Sequence, residues 1–159
     1  MKKFVLLIVL IGLLAFVGKA QELKEINGVY YADSVAYTGR YVTHFPNGKI
    51  KIELNLENGL KNGTANVYFE NGQLNEVRSY KNNLMHGSWI TYNEHKVLIG
   101  LANYKDGLKH GAWMIWDASG NLLYELHYNM GEKVGIWRNF GKNGEIVSER
   151  EYPEKAKKE

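Results

Sequence analysis

The chain has 159 residues, no cysteine, 17 glycines against 2 prolines, 13% aromatic residues and a formal charge of +3. That length suits about one domain. The missing cysteine excludes a disulfide framework, a thiolate metal site, a cysteine nucleophile and a thioether lipid anchor.

Residues 1–20 read as a secretory leader. Lys2 and Lys3 supply a positive start, Phe4 to Val17 is uncharged and apolar, and Gly18-Lys19-Ala20 puts small residues where a signal peptidase reads. As a helix the apolar run spans about 21 Å, short of the roughly 30 Å hydrocarbon core. Cleavage after Ala20 is therefore expected over a permanent anchor, with an uncleaved signal anchor as the alternative. The mature chain then starts at Gln21, has no transmembrane anchor and is periplasmic or secreted. The leader holds three lysines and no acid, so the remainder balances at 17 basic against 17 acidic residues, interspersed along the chain. Nucleic-acid binding needs a net basic surface that releases counterions, and it drops out.

A single period organises the rest of the chain. Gly39, Gly63, Gly87, Gly111 and Gly135 are each 24 residues apart. Counted from the frame glycine, position 2 holds Tyr41, Ala65, Trp89, Trp113 and Trp137, and position 5 holds His44, Tyr68, Tyr92, Trp116 and Phe140. Position 11 holds Ile50, Leu74, Leu98, Leu122 and Ile146, while position 17 holds Leu56, Tyr80, Tyr104, Tyr128 and Tyr152. Within each frame two aromatic and β-branched runs flank a turn signal such as Asn47-Gly48, Asn71-Gly72, Ser119-Gly120 or Asn143-Gly144, which predicts a β-hairpin. A second turn, Asn58-Gly59, Asp106-Gly107 or Met130-Gly131, leads to the next frame.

The expected fold is all-β: an elongated single-layer antiparallel meander of five hairpin repeats, 39–62, 63–86, 87–110, 111–134 and 135–152. Residues 21–38 form an N-terminal cap with Val29-Tyr30-Tyr31 as a strand. Pro153 stops the last strand, and 153–159 is a charged tail. Alternation places positions 11 and 17 on one face. Three departures stand out. His95-Lys96 replaces the turn glycine of the third frame and predicts a different loop conformation there. Ala65 replaces the aromatic residue, and Asn83 the second turn glycine, of the second frame.

The pattern Gly-x-Trp-x-x-aromatic, Asn-Gly, Leu, Tyr-x-Asn/Asp-Gly, as in Gly111 to Gly131, resembles the variant MORN repeat. Bacterial proteins built wholly from it are labelled YwqK-type antitoxin-like, and the resemblance runs from about Val29 to Tyr152. It implies an interaction module, protein and lipid contacts both having been proposed for such repeats, with any enzymatic activity residing in a separate domain. An exported chain meets such a partner in the envelope, not in the cytoplasm.

Signals for chemistry are weak. His86 and His110 share a position and should lie about 10 Å apart, too far to share a zinc ion. Glu125 and Glu149 also share a position at a separation close to that of an inverting glycosidase pair, but the repeat dictates that spacing whatever the function. No nucleophile elbow, HExxH or phosphate loop occurs. The reading is a non-enzymatic protein with no metal and no cofactor.

The aromatic ladder of Tyr80, Trp89, Tyr92, Tyr104, Trp113, Trp116, Tyr128 and Trp137 is the core of a thin protein and the candidate binding surface. The expected partner is an envelope protein, met along the ladder or by strand addition at a sheet edge. A glycan or peptidoglycan surface is the alternative. Open edges also allow two copies to pair as a dimer.

Overall fold

The computed structural model of the chain describes residues 22–153. The leader and the residues after Pro153 lie outside them. The described residues form seventeen strands and no helix. The cap comprises β1 (Lys24–Ile26), β2 (Val29–Ala32) and β3 (Val35–Ala36). The first frame contributes β4 (Gly39–His44), β5 (Ile50–Glu57) and β6 (Leu60–Lys61), and the second β7 (Gly63–Tyr68), β8 (Leu74–Lys81) and β9 (Leu84–Met85). The third supplies β10 (Gly87–Tyr92), β11 (Leu98–Lys105) and β12 (Leu108–Lys109), the fourth β13 (Gly111–Trp116), β14 (Leu122–Asn129) and β15 (Glu132–Lys133). The fifth gives β16 (Gly135–Phe140) and β17 (Ile146–Tyr152). All long strands lie in one antiparallel sheet in the order β17-β16-β14-β13-β11-β10-β8-β7-β5-β4, as a meander requires.

Each frame is built the same way. Its first loop is closed by paired backbone bonds: Phe45 N–H donates to Lys49 O and Gly48 N–H to Phe45 O in the first frame. The third frame keeps this arrangement, with Lys96 N–H donating to Asn93 O at 2.9 Å and Lys96 itself taking the left-handed φ of 63°. The expected change of loop conformation does not occur: Lys96 adopts the left-handed φ, and Asn93 Oδ1 accepts the N–H groups of His95 and Val97 just as Asp117 Oδ1 accepts those of Ser119 and Asn121 in the fourth frame.

The second turn is a two-residue hairpin with both φ positive, such as Asp106 at 50° and Gly107 at 83°, the combination that matches strand twist. These turns stack: Gly59 donates its backbone N–H to Tyr37 O of the cap, and Asn83, Gly107 and Gly131 donate theirs to Lys61 O, Met85 O and Lys109 O of the frame before. The chain then kinks at the frame glycine, whose φ is 80° at Gly63 and 87° at Gly87, and enters the next frame.

A β-bulge recurs in every hairpin. In the third frame Thr91 pairs with Gly100 but Tyr92 pairs with Leu98, so Ile99 is an extra residue in the long strand. The consequence is a correction: positions 11 and 17 do not share a face. Cross-strand partners do share one and neighbours along a strand alternate, so Trp89 and Tyr104 stand on one side and Tyr92 with Leu98 on the other.

The cap sheet β1-β2-β3 is separate from the main sheet and packs on its first two frames. Tyr30, Leu54, Leu56 and Ala65 form a buried cluster, joined by Leu23, Tyr37, Tyr41, Ile52 and Tyr80. Ala65, 3% exposed, leaves the space into which Tyr30 is inserted. Asn83 adopts the left-handed φ of 68° that a glycine would take, and its Nδ2 donates to Gly28 O at 2.8 Å. Both departures from the repeat pattern therefore serve the cap.

Candidate functional site: an aromatic ladder and its opposite face

Alternate tryptophans and tyrosines from successive frames form one continuous stack. Ring centroids are 5.7 Å apart for Tyr80 and Trp89, 5.3 Å for Trp89 and Tyr104, and 5.1 Å for Tyr104 and Trp113. The series continues through Trp113 and Tyr128 at 5.3 Å, Tyr128 and Trp137 at 5.1 Å, and Trp137 and Tyr152 at 4.9 Å. Interplanar angles near 60° give the edge-to-face contact that ring quadrupoles favour. Tyr30 extends the ladder into the cap, 5.8 Å from Tyr41.

Hydrogen bonds fix each indole. Trp89, Trp113 and Trp137 donate Nε1–H to the backbone oxygens of Ser79, Asn103 and His127 at 3.3, 2.9 and 2.9 Å. The same carbonyls accept the N–H of His86, His110 and Val134 at the kink. The polar handle of each half-buried ring is thus satisfied without any added group. Burial pushes the Tyr104 hydroxyl above its ordinary pKa, and burial followed by the Glu25 carboxylate does the same to Tyr30.

Cations cover the outer side of the ladder. Lys109 Nζ lies 4.4 Å from the Trp113 centroid and 5.0 Å from Tyr128, and Lys133 Nζ lies 4.3 Å from Trp137 and 5.3 Å from Tyr152. Lys61 stands between Tyr30 and Tyr80, and the Arg78 guanidinium sits 5.1 Å over Trp89. These are cation–π distances. The lysines recur at position 22 of the frames, a periodic signal in the sequence that the aromatic and turn patterns do not reveal.

Of the eight proposed ladder residues, Tyr80, Trp89, Tyr104, Trp113, Tyr128 and Trp137 are brought together. Tyr92 and Trp116 are not. Standing three residues after Trp89 and Trp113 on the same strands, they fall on the opposite face by alternation, and the bulge brings Leu98 and Leu122 there to pair with them; Tyr92 lines a pocket of about 190 Å³ with Leu74 and Lys96. The five frame glycines lie at the starts of β4, β7, β10, β13 and β16.

The opposite face carries charge at both ends and apolar side chains between them. At one end Glu53 accepts from Tyr68 at 2.9 Å and Asn66 at 3.2 Å and pairs with Arg40. Burial alone would raise its pKa, but these donors outweigh it and hold Glu53 below the usual carboxylate range. At the other end Arg138 joins Glu125 at 3.1 Å and Glu149 at 3.5 Å. An arginine thus stands between the two carboxylates and engages both. His86 and His110 lie at stacked turns, where their Nδ1 atoms accept the N–H groups of Asp106 and Met130 at 3.4 Å. No group of three or more potential metal ligands comes together among the described residues.

A single sheet of identical hairpins, tied frame to frame by stacked rings and stacked turns, defines a linear repeat protein in which each unit contacts its neighbours. The chain belongs to the MORN repeat variant family, whose profile matches residues 37–58, 61–82, 85–106 and 109–130. Each matched window opens at position 22, on Tyr37, Lys61, Met85 or Lys109. The β16–β17 hairpin follows the fourth window and repeats its register, bulge included. Such repeats are generally protein- or membrane-binding modules. No curated protein matches the chain.

Proposed function

We propose that this chain is a non-enzymatic, exported binding module that holds another protein in the cell envelope, in the manner of the antitoxin-like proteins it resembles. The observation that carries the reading is how little of the apolar surface is enclosed. Among the described residues the buried hydrophobic side chains are Tyr30, Leu54, Leu56, Ala65 and Val134, and Ile115, Tyr124, Leu84 and Leu108 are exposed at 39%, 41%, 50% and 45%. A thin sheet with two partly apolar faces and balanced charge is suited to a protein surface. Export is supported by the leader and by Leu23, which already packs into the cap core just past the predicted cleavage point.

The glycan reading stands second, for a geometric reason. Sugar stacking needs free ring faces, whereas the ladder rings meet one another edge to face and carry lysines above them. Cross-linking of the chain in its native envelope tests the main reading. Recovery of a defined protein partner is expected. Retention on isolated cell wall with no protein cross-link would replace it with the glycan reading.

A further inference from the structure

The long strands β5, β8, β11 and β14 each receive two strands on the side facing the next frame. At β14 the incoming backbone pairs Tyr124 with Asn139 and Glu125 with Arg138, and the short strand pairs Tyr128 with Lys133. Three side-chain contacts complete the junction. Arg138 Nη1 donates to Glu125 Oε2 at 3.1 Å, Trp137 Nε1–H donates to His127 O at 2.9 Å, and the Trp137 ring lies 5.1 Å from Tyr128.

β17 carries the receiving half of the same junction. Glu149 occupies the position of Glu125, Glu151 that of His127 and Tyr152 that of Tyr128. Among the described residues β17 pairs with β16 alone. Its surroundings show the difference: the Glu149 side chain is 56% exposed against 23% for Glu125, and Ile146 and Val147 are exposed at 53% and 66%. Glu149 and Glu151 point to one face; Arg138 of the same hairpin reaches Glu149 at 3.5 Å but leaves it more than half exposed, so this edge presents two carboxylates beside exposed aliphatic side chains.

We propose that the outer edge of β17 is a docking site for an extended strand of a partner protein, one carrying a small residue, an aromatic residue two positions on and a basic residue immediately after it. That is the order of Gly135, Trp137 and Arg138 at the internal junction. The aromatic ring stacks on Tyr152 and its donor reaches the Glu151 carbonyl, the basic group meets Glu149, and the backbone extends the sheet. This deepens the protein-binding reading and rests on it.

The probe is a synthetic peptide with the sequence of Met130 to Gly141, titrated into the full chain and followed by amide chemical shifts. Saturable binding with shifts centred on residues 146–152 is expected. Peptides carrying Trp137→Ala or Arg138→Glu should bind at least about tenfold more weakly. These variants leave the protein untouched, so its fold is not in question. The Arg138→Glu peptide should regain affinity for a folded Glu149→Lys protein.

Shifts centred on frames two to four, no saturation, or equal affinity for all peptides would overturn the proposal. So would amide exchange in free β17 as slow as in β14, which would mean the chain covers its own edge. Self-association abolished by Glu149→Lys would assign the edge to a second copy instead. A protein cross-linked elsewhere on the sheet, with no peptide bound, would remove this site and leave the binding role. Peptide binding with no envelope partner would do the reverse.

Discussion

At the scale of single residues, the cap depends on what the second frame lacks. Trp89, Trp113 and Trp137 each fill the space between successive tyrosines, whereas Ala65 leaves it to Tyr30. Ala65→Trp restores the repeat pattern and overfills the socket. It should cost about 1 to 3 kcal/mol in chemical denaturation and make residues 22–38 sensitive to protease; a stable variant with a protected cap would contradict the packing described. Glu53 supplies a second prediction. Its pKa is lowered in the fold, so its contribution is complete above the unfolded carboxylate value of about 4.3 and is lost as pH falls through the folded one. Glu53→Gln should therefore destabilise the chain at pH 7, and the difference from the parent should shrink on acidification below about pH 4. A difference in melting temperature that stays constant down to pH 2 would show that the hydrogen bonds from Asn66 and Tyr68 contribute nothing through the charge.

At the scale of the element, the hairpin is held by its ladder side. Trp113 touches two tyrosines and a lysine and bonds a carbonyl, while Trp116, on the other face, pairs with Leu122 across the bulge. Trp113→Ala should cost about 3 kcal/mol, the low end for a large aromatic because the ring is only half-buried, and Trp116→Ala clearly less; urea titrations of the two variants decide the order. The hairpins, their turns and the 24-residue period were legible in the sequence because Asn-Gly pairs and ring positions recur in register. The relation of positions 11 and 17 was not, whereas the three-residue spacing of positions 2 and 5 already implied opposite faces. The bulge residue is Lys51, Asn75, Ile99, Leu123 or Val147, two polar and three aliphatic side chains, so no single residue type marks where the alternation slips. Backbone geometry alone sets it. The loop at His95-Lys96 escaped for a different reason, since Lys96 itself takes the left-handed φ expected of glycine.

At the scale of the whole molecule, frames contact neighbouring frames and the cap contacts two of them, so removing a frame tests which contacts are generic. Deleting residues 87–110 brings Tyr80 against Trp113, a pairing of the kind the three later junctions make, and puts Met85 where Lys109 stood. The product should fold, keep its cap and be shorter by about 10 Å, two strand spacings. Deleting residues 63–86 removes the same length but takes Ala65 and Asn83 with it. Trp89 then falls where Tyr30 must insert, and the bond from Asn83 to Gly28 is gone. The sheet should persist, because its remaining junctions are unchanged, while the cap detaches. Small-angle scattering measures the first effect and limited proteolysis at residues 22–38 the second. Equal protection of the cap in both deletions would mean that any frame can seat it, and Ala65 and Asn83 would then be ordinary variation between repeats rather than the socket of the cap.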